Sequence, residues 1–408
     1  MKINFRLAFH YGLTIFLSAF LLFQVQPMIG KMILPWFGGS ASVWTTCMLF
    51  FQTILLLGYL YSHWVVRFLS PRQQSLLHMT LLLISLLLIP IEPSEAWKPT
   101  GAENPTLRIL GLLTVSIGLP YFVLSTTGPL IQAWFARERS GQVPYRLFAL
   151  SNLGSMLALL AYPLAVEPLL PTRWQSWAWS GLFTAFAVAC GLLAWRGRNG
   201  KPIVVAHHEK AAPLQLPQML LWIALAACPS ILMVADTSFL TLNIAPIPLL
   251  WVAPLALYLL SFILSFAGPG WNQRRIYLPL LVVSLFLLAW LPTQGVSEIP
   301  IKVAMGLNLA AFFVACMVCH GELARQQPHP SQLTSYYLTL SIGGALGGFF
   351  VGVVAPYFFN SHYELSIGIL LTGFIAALAI IPRIAFSKPV MRAAAITFSV
   401  LLLAGISW

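Results

Sequence analysis

Charge is scarce in this sequence. Only 8% of its 408 residues are Asp, Glu, Lys or Arg, while 59% are apolar and the mean hydropathy is +0.84. A soluble domain carries about a quarter charged residues, so an ordinary water-soluble enzyme is excluded. Acidic groups are rarer still: there are 10 in all, and aspartate occurs once, as Asp236. So few carboxylates cannot form the ring that would hold a polycation. No Walker loop, HExxH or GxSxG appears, which removes P-loop, zinc-peptidase and serine-hydrolase chemistry. The five cysteines, Cys47, Cys190, Cys228, Cys316 and Cys319, all fall inside apolar runs and form no disulfide framework. They read as small core residues. Long polar stretches are also missing, except for Gly197 to Pro217.

What the chain does have is apolar runs of membrane-crossing length, about 20 residues each. Thirteen qualify: 9–34, 43–66, 74–91, 108–134, 147–166, 174–195, 218–240, 248–267, 276–292, 302–321, 332–357, 365–382 and 391–407. The first begins like a secretory signal. It is nevertheless of full span length, lacks a small-residue cleavage site and is interrupted by Gln24, Gln26 and Lys31, so it reads as an uncleaved helix. The net charge of +12 would suggest nucleic acid in a soluble chain. Placing the N-terminus in the cytoplasm puts 17 of the 22 basic residues on that side and five on the other, as the positive-inside rule requires. The charge is therefore topological, no nucleic-acid partner is implied, and the expected location is a bacterial inner membrane with Trp408 on the periplasmic side. Trp97, Trp134, Trp174, Trp177, Trp195 and Trp408 lie near the span ends and read as interfacial belt residues.

The polar stretch divides the chain into a six-helix bundle at 1–196, a cytoplasmic linker at 197–217, a second six-helix bundle at 218–383 and an extra C-terminal transmembrane helix at 384–408. Three weak matches run in the same order through both halves. Ser42 to Tyr59 matches Leu250 to Leu260, Gly128-Pro129-Leu130 matches Gly321-Glu322-Leu323, and Leu150 to Gly154 matches Leu340 to Gly344. Two copies in the same orientation form a parallel repeat, as in two-bundle transporters of the major facilitator type. The expected fold is thus an all-α polytopic membrane protein of about 13 spans.

Several segments carry a closer resemblance. They are Gln24-Val25-Gln26-Pro27, Leu34-Pro35-Trp36-Phe37-Gly38-Gly39, Leu124 to Leu130, Tyr145 to Gly154, Pro248 to Val252, and Met317 to Leu323. Together the chain resembles the membrane half of the bacterial fused major-facilitator/spermidine-synthase family over nearly its whole length. The chain stops at Trp408 without a soluble synthase-like domain, so aminopropyl transfer does not carry over. The layout of the fused relatives implies, as an alternative to transport, a membrane scaffold or channel subunit serving a separately encoded catalytic chain.

Ionisable groups inside a bilayer cost at least about 2.5–3.5 kcal/mol by insertion scales and call for a partner or a function. Asp236 near the end of span seven and Lys31 in span one lie at matching depth on repeat-related helices. They read either as a charge pair acting as an outer gate or charge-coupled site, or as a static clasp, or as separate groups snorkelling to the outer surface. His320 and Glu322 close span ten, either as a proton-sensitive pair or as helix-end groups facing water. Gln24, Gln26, Thr126, Thr127 and Asn308 complete a polar set on spans one, four and ten, and are the candidate substrate-binding groups for a small polar solute. Cys316, Cys319 and His320 spell CxxCH, the c-type haem attachment pattern and the sole basis for a membrane redox protein. The charge map puts them on the cytoplasmic side, opposite to where haem is attached, so no cofactor is expected. Gly343, Gly344, Gly347, Gly348 and Gly352 lie four apart in an apolar run without a preceding strand. They read as helix-packing residues rather than a phosphate loop.

Overall fold

In a bilayer every backbone N–H and C=O must be satisfied within its own segment, so apolar runs of this length become helices. The computed structural model describes residues 5–38, 41–99, 105–138, 145–199, 214–243, 248–293, 299–360 and 363–384. Twelve long helices occur among them: α1 Phe5–Phe37, α2 Ala41–Phe68, α3 Pro71–Leu86, α4 Pro105–Glu138, α5 Arg146–Leu169, α6 Thr172–Gly197, α7 Leu216–Asn243, α8 Pro248–Ala267, α9 Arg274–Trp290, α10 Ile301–Arg325, α11 Pro330–Phe358 and α12 Tyr363–Ile384. Ten are long and apolar enough to cross a membrane. The expected spans at 74–91 and 248–267 coincide with α3 and α8, which fall short of that measure among the described residues; α3 has 16 residues. The expected thirteenth span and most of the 197–217 linker lie outside the described residues.

The chain divides into two compact units, residues 1–212 with 328–338, and residues 213–327 with 339–408. The first residues of α11 thus pack with unit 1: Tyr337 donates to Gln132 Oε1 at 2.7 Å and stacks on Phe148 at 5.0 Å. Within unit 1, α1 packs on α4, α5 and α6, α2 on α4, and α3 on α6. Within unit 2, the corresponding pairs recur: α7 packs on α10 and α12, α8 on α10, and α9 on α12. The repeat is therefore visible in the choice of neighbours.

Two further details tie the copies together. A Cβ on Gly154 of α5 would lie 2.7 Å from the Phe16 carbonyl oxygen of α1, and one on Gly343 of α11 would lie 2.4 Å from the Ile223 carbonyl oxygen of α7. Glycine permits the same close approach in both units. The contact makes Gly343, not Gly344, the counterpart of Gly154, a one-residue correction to the alignment read from sequence. Gly347 also packs on α7, whereas Gly344 and Gly352 face open space, so only one row of the glycine stripe is a packing surface.

The second detail is a π-helical turn in α5 at Tyr162–Val166 and another in α11 at Phe350–Val354, with a third in α4 at Thr114–Gly118. Each ends two residues before a proline: Pro120, Pro168 and Pro356. Proline has no N–H and its ring crowds the carbonyl four residues back. Those carbonyls belong to Ser116, Leu164 and Gly352, the middle residue of each π turn. The wider turn relieves the clash without ending the helix.

All five cysteines are buried, as expected of core residues. Of the expected belt tryptophans, Trp174, Trp177 and Trp195 are half-exposed or more. Trp134 is instead buried and donates its Nε1–H to Gln74 Oε1 at 3.1 Å. It belongs to the interior of unit 1. Trp408 lies outside the described residues.

The glycine contacts generate a matched pair of substitutions. Gly347→Ala would bring its Cβ within 2.7 Å of the Ala227 carbonyl oxygen and 2.8 Å of Ser230 Cβ. It is expected to destabilise the protein by about 1–3 kcal/mol through overpacking. Gly344→Ala meets nothing within 4 Å and is expected to be neutral or slightly stabilising, by up to about 1 kcal/mol. Thermal unfolding of the two variants in detergent checks the ordering.

Candidate functional site

Most hydroxyls within the helices are satisfied by their own helix. Thr126 and Thr127 on α4 are fully buried and both donate to the Val123 carbonyl, at 2.8 and 3.1 Å. Thr237 and Ser238 on α7 donate likewise to Met233 and Val234. Such back-bonding absorbs a hydroxyl locally. Thr126 also sits at the α2–α4 contact, where Ser62 of α2 donates to its carbonyl at 2.9 Å.

The amide and ionisable side chains behave differently. In unit 1, Gln26 Nε2 donates to the Tyr121 hydroxyl of α4 at 3.1 Å, and the Tyr121 ring rests on Phe51 of α2 at 4.8 Å. Gln24, two residues earlier, projects about 200° away around α1. It is buried, and its Oε1 finds no hydrogen-bond partner among the described residues.

Each member of the expected Lys31–Asp236 pair has a partner within its own unit. Lys31 Nζ bonds Glu167 Oε1 at 3.0 Å within unit 1, and both side chains are 42% exposed. Asp236 is fully buried in unit 2 and accepts a short hydrogen bond at Oδ1 from Asn308 Nδ2 of α10. Matching depth on repeat-related helices said nothing about azimuth, and each group is served by a neighbour in its own unit. The solvent-screened Lys31–Glu167 bridge is worth about 0–1 kcal/mol.

His320 and Glu322 are also not a pair. Two residues apart on α10, they point to opposite sides of the helix. His320 is fully buried, hydrogen-bonded through Nδ1 to Ser261 of α8 at 2.7 Å, stacked on Phe262 at 3.5 Å and edge-on to Tyr258 at 4.9 Å. Glu322 accepts a two-pronged bond from Arg274 of α9, Nε at 2.7 Å and Nη2 at 2.6 Å, with Arg325 Nε at 3.7 Å. The CxxCH residues therefore share no open face: Cys316 and Cys319 are fully buried, and the His320 ring is covered by Phe262. Among the described residues no group of three or more His, Cys, Asp or Glu side chains is placed to hold a metal ion.

The sequence reading missed a latch that recurs in both units. In unit 1 the connection between α2 and α3 is capped by Ser70 with Gln73, and the following Gln74 Oε1 accepts from Arg137 Nη2 at 2.9 Å near the end of α4. In unit 2 Asn272, in the connection between α8 and α9, donates Nδ2 to the Ser265 carbonyl at 2.8 Å. Its own carbonyl accepts from Arg325 at the end of α10. The fourth helix of each unit is thus tied by an arginine to the junction of the second and third. The signal was present in the sequence as Arg137 and Arg325, each at the end of its unit's fourth helix.

No protein-family model matches the sequence, and no curated protein does. Solved structures do match. A proton:xylose symporter of the major facilitator superfamily superimposes with a TM-score of 0.55 at 13% identity, covering 92% of this chain and 95% of its own. The human organic anion transporter MFSD10 gives 0.57 at 15% identity, covering 93% and 100%. A bacterial homologue of the iron transporter ferroportin, in an outward-facing state, gives 0.59 at 11% identity, covering 90% and 97%. This is the major facilitator fold. At these identities the likeness is one of fold, and it fits the parallel repeat seen in the helix pairs of the two units.

The Arg274–Glu322 bridge sits where α9 and α10 pack closely, with the carboxylate buried and the Arg274 side chain 26% exposed. Arg274→Ala leaves the Glu322 carboxylate, 3% exposed, with only Arg325 at 3.7 Å. The expected loss is about 3 kcal/mol, measurable as a lowered unfolding temperature in detergent. Arg274→Ala combined with Glu322→Ala should recover part of it.

Proposed function

We propose that this chain is an integral membrane transporter that moves a small polar solute by alternating access. The supporting observation is that Gln24 Oε1 on α1, Asp236 Oδ2 on α7 and Asn308 Oδ1 on α10 are among the buried side-chain atoms without a hydrogen-bond partner among the described residues, a set that also includes Gln175 Oε1, Asn272 Oδ1 and His320 Nε2. An unsatisfied buried acceptor costs about 1–3 kcal/mol. Within each unit such an acceptor in an apolar helix is worth keeping if a polar ligand meets it during the cycle. Gln24 and Asn308 offer amides that both donate and accept, suiting an uncharged hydroxylated or amide-bearing solute. Gln26 is committed to the Tyr121 hydroxyl, and Thr126 and Thr127 to the Val123 carbonyl of their own helix. The fold neighbours include transporters of xylose and of nucleosides, which supports a polar organic solute without naming it.

The charge asymmetry supports a cytoplasmic N-terminus in a bacterial inner membrane. In that orientation Lys31–Glu167 lies at the outer ends of α1 and α5, and Arg274–Glu322 at the inner ends of α9 and α10. The motif resemblance to the fused major-facilitator/spermidine-synthase membrane half belongs to the same proposal.

Uptake and counterflow in proteoliposomes, with panels of pentoses, hexoses, nucleosides and neutral amino acids, test the reading. One class should be taken up, and Gln24→Ala and Asn308→Ala should each reduce its uptake about tenfold or more, a loss of about 1.4 kcal/mol. Thr126→Val should stay within about twofold of the parent. A folded chain that moves no member of the panels and copurifies with a soluble protein would replace transport with the scaffold reading.

A further inference from the structure

We propose that Asp236 and Asn308 form an acid–amide pair that binds one proton, making the interior of unit 2 a proton-loading site. The proposal rests on the transporter reading for its purpose and on geometry for its existence. Asp236 is fully buried and Asn308 is 3% exposed. Asn308 Nδ2 donates to Asp236 Oδ1, while the other atom of each group, Asp236 Oδ2 and Asn308 Oδ1, has no hydrogen-bond partner among the described residues. Both stranded atoms are acceptors if the acid is ionised, and neither can then satisfy the other. One proton on Oδ2 changes that: the acid O–H becomes a donor, and the amide carbonyl of the same partner is the complementary acceptor. The reciprocal arrangement, amide N–H to acid carbonyl and acid O–H to amide carbonyl, uses all four atoms.

The surroundings offer the charged form nothing. Among the described residues no Lys, Arg or His makes an ion pair with Asp236. Of the helices packed on α7, α8 carries no charged residue, α11 none, and α12 none between Glu364 and Arg383. On α10 the charged residues lie near its ends, as Lys302, Glu322 and Arg325, and Glu322 is committed to Arg274. The buried Cys316 thiol on α10 lies within electrostatic reach of Asp236; a turn further along α10, the His320 ring is enclosed by Phe262 and Tyr258 and bonded to Ser261. Thr237 and Ser238 beside Asp236 have turned their hydroxyls back onto α7. A neutral acid is the form that apolar burial selects, and its proton leaves only when α7 and α10 open to water or to a cationic group.

Because Asp236 is the only aspartate in the chain, the test needs no mutation. Protein made by cell-free synthesis with carbon-13 at the aspartate side-chain carboxyl, reconstituted in lipid, gives one isotope-edited infrared signal. A deuterium-sensitive carbonyl stretch of the protonated acid at pH 7 is the expected result; carboxylate bands at pH 7 would overturn the proposal. Asn308→Ala should shift the acid band by removing its acceptor, and an unshifted band in a folded variant would overturn the pairing. The wild-type spectrum decides the protonation even if that variant does not fold. The measurement is independent of any solute: an ionised Asp236 would leave the transport reading standing, and a chain inactive in every uptake assay would leave a protonated Asp236 standing.

Discussion

A hydrocarbon interior supplies no water, so each polar group that enters it must be answered from within the protein. In this chain the answer is graded by side-chain type. Hydroxyls are the cheapest to satisfy, because a carbonyl one turn back on the same helix is always within reach; Thr14, Thr53, Thr80, Thr184 and Thr372 all use it. Carboxamides, acids and imidazoles reach farther and need more than one partner. They link helices: Gln26 to α4, Gln132 to the start of α11, Asn308 to α7, His320 to α8. The cross-links of the fold and its candidate chemistry are therefore drawn from the same few residues.

The two units meet this constraint with the same devices. A glycine on the fifth helix of each lets it settle onto the backbone of the first, an arginine at the end of the fourth ties down the junction of the second and third, and a proline-associated π turn interrupts the fifth. What differs is the chemistry placed between these common points. Unit 1 keeps an amide, Gln24, where unit 2 keeps an acid and an amide, Asp236 and Asn308.

Much of the frame was legible from residue types alone. Apolar run lengths located all twelve described helices, and Asp236 stood out as a lone acid in a span. The pairings were less legible, because hydropathy reports depth and not direction around a helix. Lys31 and Asp236 share a depth, yet Lys31 turns to Glu167; His320 and Glu322 are near neighbours in sequence, yet sit on opposite faces of α10. Thr126 and Thr127 are polar by type, but polarity does not reveal that the same helix already accepts their protons. Trp134 lies near a predicted interface and is nonetheless interior, since its N–H has a glutamine to reach. The three π turns each centre on the carbonyl four residues before a proline, yet Pro27, Pro35, Pro129, Pro229, Pro254 and Pro279 lie inside α-helices without one, so proline alone does not mark them.

A π turn accommodates one residue more than an α-helical turn, and so rotates everything beyond it by about 100° relative to an uninterrupted helix. Glu167 is the first residue past the π turn of α5, and Pro168 follows it. The residue that forms the ion pair with Lys31 is thus aimed by the proline beside it: an unbroken α5 would present Val166 or Leu170 to that azimuth and leave the lysine facing hydrocarbon. In unit 2 the same rotation delivers Ala355, which carries no charge. The repeat-related turns therefore act as identical phase shifters with different cargo, electrostatic in one copy and merely steric in the other.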